Sequence, residues 1–399
     1  MSAPVASLSR ILICGVLVTA SLVGFLATDL ILPAIPDLPE ILNGGVAEAQ
    51  FVLAGFVAGN ALGFLIFGAI SWRFRRQHLL IFSMIVFGLV SLLATQVTDM
   101  TSLVVLRVFQ GFFASAPAVI APGVVRQLFS ESGATRAIGA LASLEALAPA
   151  LGPIIGYWLL DLGGWAASFY VLAVIGVSMG LLILCLPGWI PRSKTEGRKG
   201  SYLSLLRSPT FLRYALSQAL VVGGMIVVVM SAPAMIVRAM GGTMTHFITM
   251  QIAGVTCFIL ASNTTGFLVT RFGAERMLWF GSFLAIASAL AIAALGFIEG
   301  VSPFWLAVCF APLNAAVGFR GPPGFMRAII AGGGQDDRAS SLTILAIFIV
   351  ISGGTALLAP VVEEGVIYVA GLVLCLQLGA ALLLWWLPAL KEGADQPSP

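Results

Sequence analysis

Charge is what this sequence has least of. Asp, Glu, Lys and Arg make up 9% of its 399 residues, whereas a soluble domain carries about a quarter. With 59% hydrophobic residues and a mean hydropathy of +1.06, the chain has too little polar surface to face water, which excludes an ordinary soluble domain. Histidine is nearly missing: the two residues, His78 and His246, are expected at helix starts near the membrane interface and not as ligands. The five cysteines, Cys14, Cys185, Cys257, Cys309 and Cys375, lie at scattered spacing inside apolar runs, which excludes a disulfide framework and a metal site. There is no phosphate-binding glycine loop, no HExxH, no nucleophile elbow, and no Ser/His/Asp set at membrane depth. Enzyme chemistry and nucleotide-driven transport are thereby excluded. Any active transport must draw on an ion gradient or on the substrate's own.

What the sequence has instead is a series of long apolar runs. A helix that crosses the bilayer needs about 20 apolar residues. Twelve runs of that order occur, at 10–35, 50–71, 79–98, 102–127, 137–160, 165–187, 212–237, 246–270, 277–298, 303–329, 340–362 and 366–388. Lipid offers the backbone no hydrogen-bond partners, so only helices and closed barrels span it. Continuous runs exclude the alternating pattern of a barrel strand. The expected fold is an all-α membrane protein with twelve transmembrane helices. The first run exceeds the signal-peptide core of about 7–15 residues and lacks a small-x-small cleavage site, so it is expected to remain as a span.

Lys and Arg are enriched in cytoplasmic loops and set orientation. With the N-terminus inside, 17 of the 20 basic residues fall in inside segments, six of them between 188 and 213. The outside loops hold Asp37, Glu40, Glu48, Asp99, Asp161, Glu299, Glu363 and Glu364, with Arg238 their only basic residue. Both termini are therefore expected in the cytoplasm. The formal charge of +3 reflects this sidedness and not a nucleic-acid surface.

The longest polar stretch, PRSKTEGRKGSYLSLLRSP at 191–209, divides the chain into nearly equal halves. The expected domains are an N-terminal six-helix bundle, 1–187, a cytoplasmic linker, 188–211, and a C-terminal six-helix bundle with a short tail, 212–399. Three matches point to a duplicated unit. GAISWRFRR (68–76) and GFLVTRFGAER (266–276) share Gly, Arg and Phe at an offset of 198. LPAI (32–35) and APAM (232–235) close the first run of each half at an offset of 200, and LAP recurs at 147–149 and 358–360 in the fifth. Two six-helix halves around a midplane site are the architecture of alternating-access transporters.

Ionisable groups inside a span are rare and mark a cavity or a partner. Four stand out: Asp29, Arg107, Glu145 and Arg320. Asp29 lies roughly 10 Å from the outer end of the first run and Arg107 roughly 9 Å into the fourth. Matched depth in one half points to an Asp–Arg pair. It is either a static ion pair fixing two helices, or a proton site at Asp29 with Arg107 biasing its titration. Glu145, about 13 Å deep, reads as a second protonation site, a counter-charge for a cationic substrate, or a protonated acid bonded to a neighbouring helix. Arg320, about 10 Å from the inner end of the tenth run, is placed to snorkel to the interface or to face the cavity. Gln110, Gln218, Asn263 and Asn314 either line a cavity or tie helices together. Phe25, Phe113 and Met225 offer adaptable contacts to an apolar ligand, or pack and face lipid.

Three segments carry a family resemblance: LATDLILPAIP (26–36), LRVFQGFFASAPAVIAPGVVRQLF (106–129) and ALAPALGPIIGYWL (146–159). Together they resemble the major facilitator superfamily, and within it the twelve-helix drug:proton antiporters of the bicyclomycin/chloramphenicol-resistance type. The likeness covers about residues 26–170 and thins after 212, where QDDRASSLTIL (335–345) is similar to the loop and start of helix 11. In that family the first-helix Asp before L-P-A-x-P is tied to substrate and proton handling, which implies that role for Asp29. The helix 4 motif R-x-x-Q-G, linked to proton coupling, matches Arg107, Gln110 and Gly111. The helix 5 motif G-P-x-x-G, associated with antiport, matches Gly152, Pro153 and Gly156. Small residues allow close helix crossing there and proline bends the helix.

One loop departs from the family pattern G-x-x-S-D-R-x-G-R-[RK]. Gly68, Ser71, Arg73 and Arg76 match, but Trp72 replaces the Asp and Arg75 the Gly, and Gln127 follows Arg126 where an Asp often stands. The resemblance thus implies a cytoplasmic latch short of two acids, with Arg126 left without its usual partners and the conformational balance moved inward by about 1–3 kcal/mol. Trp72 alternatively serves as an interfacial anchor. The function so implied is a secondary transporter of the bacterial cytoplasmic membrane that exports a small amphipathic organic compound against protons. Its expected partners are that substrate, protons and the lipid bilayer; it would work as a monomer, with no nucleic acid, no metal and no cofactor beyond the proton gradient. A same-fold importer of a siderophore or metabolite, and a transport-dead sensor or interaction protein, are the alternatives.

Overall fold

The computed structural model describes residues 7–186, 190–191, 200–298 and 300–390. Arg192, Lys194, Arg198, Lys199, Lys391 and Glu299, which enter the sidedness argument, lie outside the described residues, as does part of the expected 188–211 linker. Each of the twelve runs is helical. Spans 1 to 4 are Ser7–Asp29, Val46–Ile70, Arg76–Ala94 and Met100–Leu128. Span 5 is in two pieces, Glu131–Glu145 and Ala148–Gly163, and span 6 is Ala167–Leu184. Spans 7 to 12 are Pro209–Ala234, Met244–Phe272, Ala274–Leu295, Phe304–Ala331, Asp336–Leu358 and Val366–Trp386. Eleven are long and apolar enough to cross a membrane as single helices; broken span 5 is the twelfth.

Two of the interruptions share a cause. Proline lacks the N–H that the carbonyl four residues earlier would accept. Pro33 stands four residues after Asp29, where span 1 ends, and Pro149 four after Glu145, where span 5 breaks. The first apolar run therefore does not continue as one α-helix to residue 35: after Asp29 the chain turns and makes a short 3-10 segment, Leu32–Ala34. Helix starts carry local caps. Asp99 accepts from the Ser102 N–H at 2.8 Å and its hydroxyl at 2.7 Å before span 4. Those bonds hold the Asp99 carboxyl below its usual range, so the cap is in place at neutral pH and is lost as the pH falls through that lowered value. His246 accepts from the Thr243 N–H at 3.1 Å at the start of span 8, a capping role and not a ligand's. His78 is exposed in the first turn of span 3.

The residues cluster into two compact units. The first comprises Met1–Leu128, Leu144–Gly200 and Gln335–Ser341; the second comprises Phe129–Ser143, Ser201–Gly334 and Leu342–Pro399. In the first unit span 2 packs on span 4 and span 3 on span 6; in the second, span 8 packs on span 10 and span 9 on span 12. The same pairings recur half a chain later, as a duplication requires. Of the three sequence matches, the loop pair and the LPAI/APAM pair occupy corresponding places. The LAP pair does not: 147–149 lies at the break of span 5, whereas 358–360 lies at the end of span 11. Spans 2 and 4 cross so closely that a Cβ on Gly59 would fall 1.9 Å from the Val108 carbonyl oxygen, and one on Gly111 2.0 Å from that of Phe56. The outward surface is apolar, ending at Trp385 and Trp386 in the last turn of span 12, 76% and 79% exposed, as interfacial anchors are.

Candidate functional site

Asp29 is half-buried at the last helical residue of span 1, with the second piece of span 5 laid directly on it. A Cβ on Gly152 would fall 2.3 Å from the Asp29 Cβ, and one on Gly156 2.3 Å from the Leu30 carbonyl oxygen. Only glycine permits that approach, which is what G-P-x-x-G supplies, with half-buried Pro153 between the two contacts. Ser168 of span 6 donates to the same Leu30 carbonyl at 3.0 Å. The acid of span 1 and the motif of span 5 therefore form one place in the structure.

Arg107 is fully buried close by, but it does not pair with Asp29. Its Nε donates to the Val52 carbonyl at 3.1 Å, and its Nη1 to the Ala27 carbonyl at 3.0 Å and to Gln110 Oε1 at 2.5 Å. The guanidinium lies 4.3 Å from the centre of the Phe56 ring. Gln110 donates on to Ser91 Oγ of span 3 at 2.7 Å, so one arginine ties four spans together. Helix geometry explains the missing ion pair. Where span 1 stops, the carbonyls of its last turn have no further N–H to accept. A cation is favoured at that negative end, and Arg107 takes the Ala27 carbonyl, two residues short of Asp29. The matched depth is real, but the contact is to backbone. Arg107 Nη2 has no partner, and the Asp29 carboxylate has neither a cation nor a donor among the described residues. Glu145, at the break in span 5, is half-buried and likewise without a hydrogen-bond partner among the described residues.

The loop after span 2 and the end of span 4 lack the two acids of the family pattern, and their arginines meet acids of span 11. Arg76, 1% exposed, meets the Asp337 carboxylate with Nε at 3.0 Å and Nη2 at 2.6 Å. Arg126, without the two acids that the family pattern supplies, pairs with Asp336. Both acids come from QDDR at the start of span 11, and Gly123 of span 4 leaves the room, since a Cβ there would lie 2.7 Å from Arg76 Nη2 and from Asp337 Oδ1. Arg338 donates to the Ala69 carbonyl at 2.8 Å. Trp72 is half-buried, Arg73 and Arg75 are exposed, and the Gly68 carbonyl accepts from Ser71 Oγ at 3.2 Å. The second unit has the matching pair: Arg327, near the end of span 10, lies 2.5 Å from Glu131 in the first turn of span 5. Arg126 and Arg327 are 201 residues apart, and Glu131 and Asp336 are 205 apart. In each unit, the arginine ending the fourth span of one sequence half meets the acid opening the fifth span of the other half.

The remaining cavity candidates lie each within its own unit. Arg320 does not snorkel; it is fully buried, donating from Nη2 to Ser217 Oγ at 3.1 Å, with Nε and Nη1 unpartnered. Gln218 is buried next to Ser217, its Oε1 without a partner. Met225 packs into the apolar core of the second unit. Asn314 donates to the Phe310 carbonyl at 3.1 Å, within its own helix, and Asn263 to Ser143 Oγ at 2.8 Å, which is the helix-tying role. Phe113 packs with Phe67, Phe82 and Phe112 at ring separations of 6.5, 5.7 and 5.1 Å. Phe25 is 40% exposed on span 1. Sequence reading missed Glu275, which accepts from Tyr214 and from Arg213 at 2.9 Å and lies 4.0 Å from Arg327. It stands two residues after the loop glycine Gly273, in a first helical turn where acids are common, so no pattern marked it.

The profile described as Major Facilitator Superfamily matches residues 17–356. The chain is 27% identical over 259 residues to a bicyclomycin resistance protein homolog of Haemophilus influenzae. That match covers 63% of this chain and 64% of the relative, so the chain spans just under two thirds of that protein's length. It is 26% identical over 335 residues to a chloramphenicol resistance protein of Pseudomonas aeruginosa, 77% of each chain being covered. A solved structure of the E. coli fucose:proton symporter FucP superposes with a TM-score of 0.72 at 17% identity, over 94% of this chain and 99% of that one, which establishes a shared fold. With the family profile matched over residues 17–356 and the helix pairings of one half repeated in the other, the chain belongs to the major facilitator superfamily and is a multi-pass membrane protein.

Proposed function

We propose that this protein is a transporter that exports small amphipathic organic compounds in exchange for protons, by alternating access, across the bacterial cytoplasmic membrane. The Lys/Arg bias places both termini inside. The proton gradient is the only further requirement, and a single copy in the bilayer suffices. The observation that carries the reading is Asp29: an acid inside a span, at a helix end, pressed by Gly152, with no cation or donor among the described residues to hold it as a carboxylate. A carboxyl so placed keeps its charge at high cost in a low dielectric and is neutralised by taking up a proton. Arg107, fixed by backbone carbonyls two residues away and with Nη2 free, is the group that a deprotonated Asp29 would approach. Glu145 is a second candidate of the same kind. The pairs Arg126–Asp336 and Arg327–Glu131 are the contacts that alternating access would make in one state and break in the other.

The names of the curated relatives make chloramphenicol and bicyclomycin the first compounds to try. In proteoliposomes loaded with either compound, Asp29→Asn should fold and insert normally yet lose transport driven by a pH gradient. Unchanged proton-driven transport in that variant would remove Asp29 from the mechanism.

A further inference from the structure

Arg320 is a cation without a counter-charge, buried inside the second unit. Of its guanidinium nitrogens, Nη2 donates to Ser217 Oγ at 3.1 Å, while Nε and Nη1 have no partner. Glu275 acts on its charge from a distance. That carboxylate is already engaged by Tyr214 and Arg213, with Arg327 at 4.0 Å. A buried charge left without an ion pair costs several kcal/mol, and no carboxylate among the described residues pairs with Arg320 directly. The neighbouring positions carry polar groups. Ser217 is followed on span 7 by Gln218, whose amide is buried with Oε1 unpartnered. Arg320 is followed on span 10 by Gly321, and a Cβ there would meet Gln218 Nε2 only at 3.7 Å. Pro322 and Pro323 lie inside span 10 just beyond, so the helix carries two fewer N–H groups at this point. The Ser217 hydroxyl, which accepts from Arg320, gives its own proton to the Tyr214 carbonyl at 3.2 Å, so the donors left for a ligand are the two free guanidinium nitrogens and the Gln218 amide N–H groups, which match the acceptors of a small anion.

We propose that Arg320, held by Ser217, and Gln218 form an anion site within the second unit, taking a carboxylate or a small inorganic anion such as chloride. The site is independent of the direction of transport and of proton coupling, so its test needs no flux. The purified protein in detergent is titrated with sodium chloride, sodium acetate or sodium benzoate against sodium gluconate at constant ionic strength, and its thermal unfolding midpoint is followed. The proposal expects a saturable rise in the wild type with at least one of the three anions. Chloride acting alone identifies an inorganic counter-ion, and acetate or benzoate acting without chloride identifies a carboxylate ligand. Arg320→Gln should abolish the dependence. Gln218→Ala, which keeps the cation and removes the amide donor, should raise the half-saturating concentration about 3–10-fold, the loss of about one hydrogen bond. A wild type indifferent to all three anions, or an undiminished response in Arg320→Gln, overturns the proposal.

Discussion

Arg107 and Arg320 are both fully buried inside a span, yet their surroundings are opposite. Arg107 spends its donors on the carbonyls of Val52 and Ala27 and on Gln110, and stacks on Phe56. Arg320 has a single hydroxyl, that of Ser217. The first cation is part of how its unit is built, because the end of span 1 leaves carbonyls that only an outside donor can satisfy. The second is carried by its unit without being used to build it. A charged residue in a membrane span thus has two meanings, and its hydrogen-bond partners tell them apart where its position cannot.

The comparison can be broken by removing each charge in turn. Arg107→Met should destabilise the protein by about 3–5 kcal/mol, since it strips partners from several helices at once, read as a fall in the detergent unfolding midpoint. Arg320→Met should lie within about 1 kcal/mol of wild type or above it, because an apolar isostere relieves an unpaired charge. Equal losses would mean that the two sites are not different in kind. Asp337→Ala comes next: it takes the two-bond carboxylate from buried Arg76 at a cost of about 3 kcal/mol, and adding Arg76→Met should recover part of that in a double-mutant cycle. Gly152→Val should cost about 1–3 kcal/mol from overpacking and, by displacing Asp29, should reduce transport more than stability. The smallest effect is expected from Trp72→Asp, within about 0.5 kcal/mol and with little change in cysteine accessibility on either face, because Asp336 and Asp337 already supply Arg126 and Arg76.

The twelve spans were legible because lipid imposes one strong rule, a helix of about 20 apolar residues. The contact between the first-span acid and the fifth-span glycines was legible only through family resemblance, as no local pattern joins Asp29 to Gly152. The expected Asp29–Arg107 ion pair failed for a specific reason. Carbonyl acceptors carry no side-chain signature, so the competition from Ala27 and Val52 could not be seen in the sequence. The prolines at 33 and 149 did hold the information that both carboxylates close a helical piece, four residues upstream. The partners of Arg126 and Arg76 lie 210 and 261 residues away. An Asp pair opening a span was the only trace, and it looks the same as an ordinary helix start. The run Gly55, Gly59 and Gly63 was a readable sign of the tight crossing between spans 2 and 4 that the resemblance to R-x-x-Q-G did not include.

The central claim is exchange of a substrate against protons through Asp29. Its most direct test is a proteoliposome assay in which chloramphenicol is applied across an imposed pH gradient while internal pH and compound are recorded together. The account predicts compound and protons moving in opposite directions in the wild type, and neither coupled movement in Asp29→Asn. Compound flux with no proton movement, or both moving in the same direction, would contradict it.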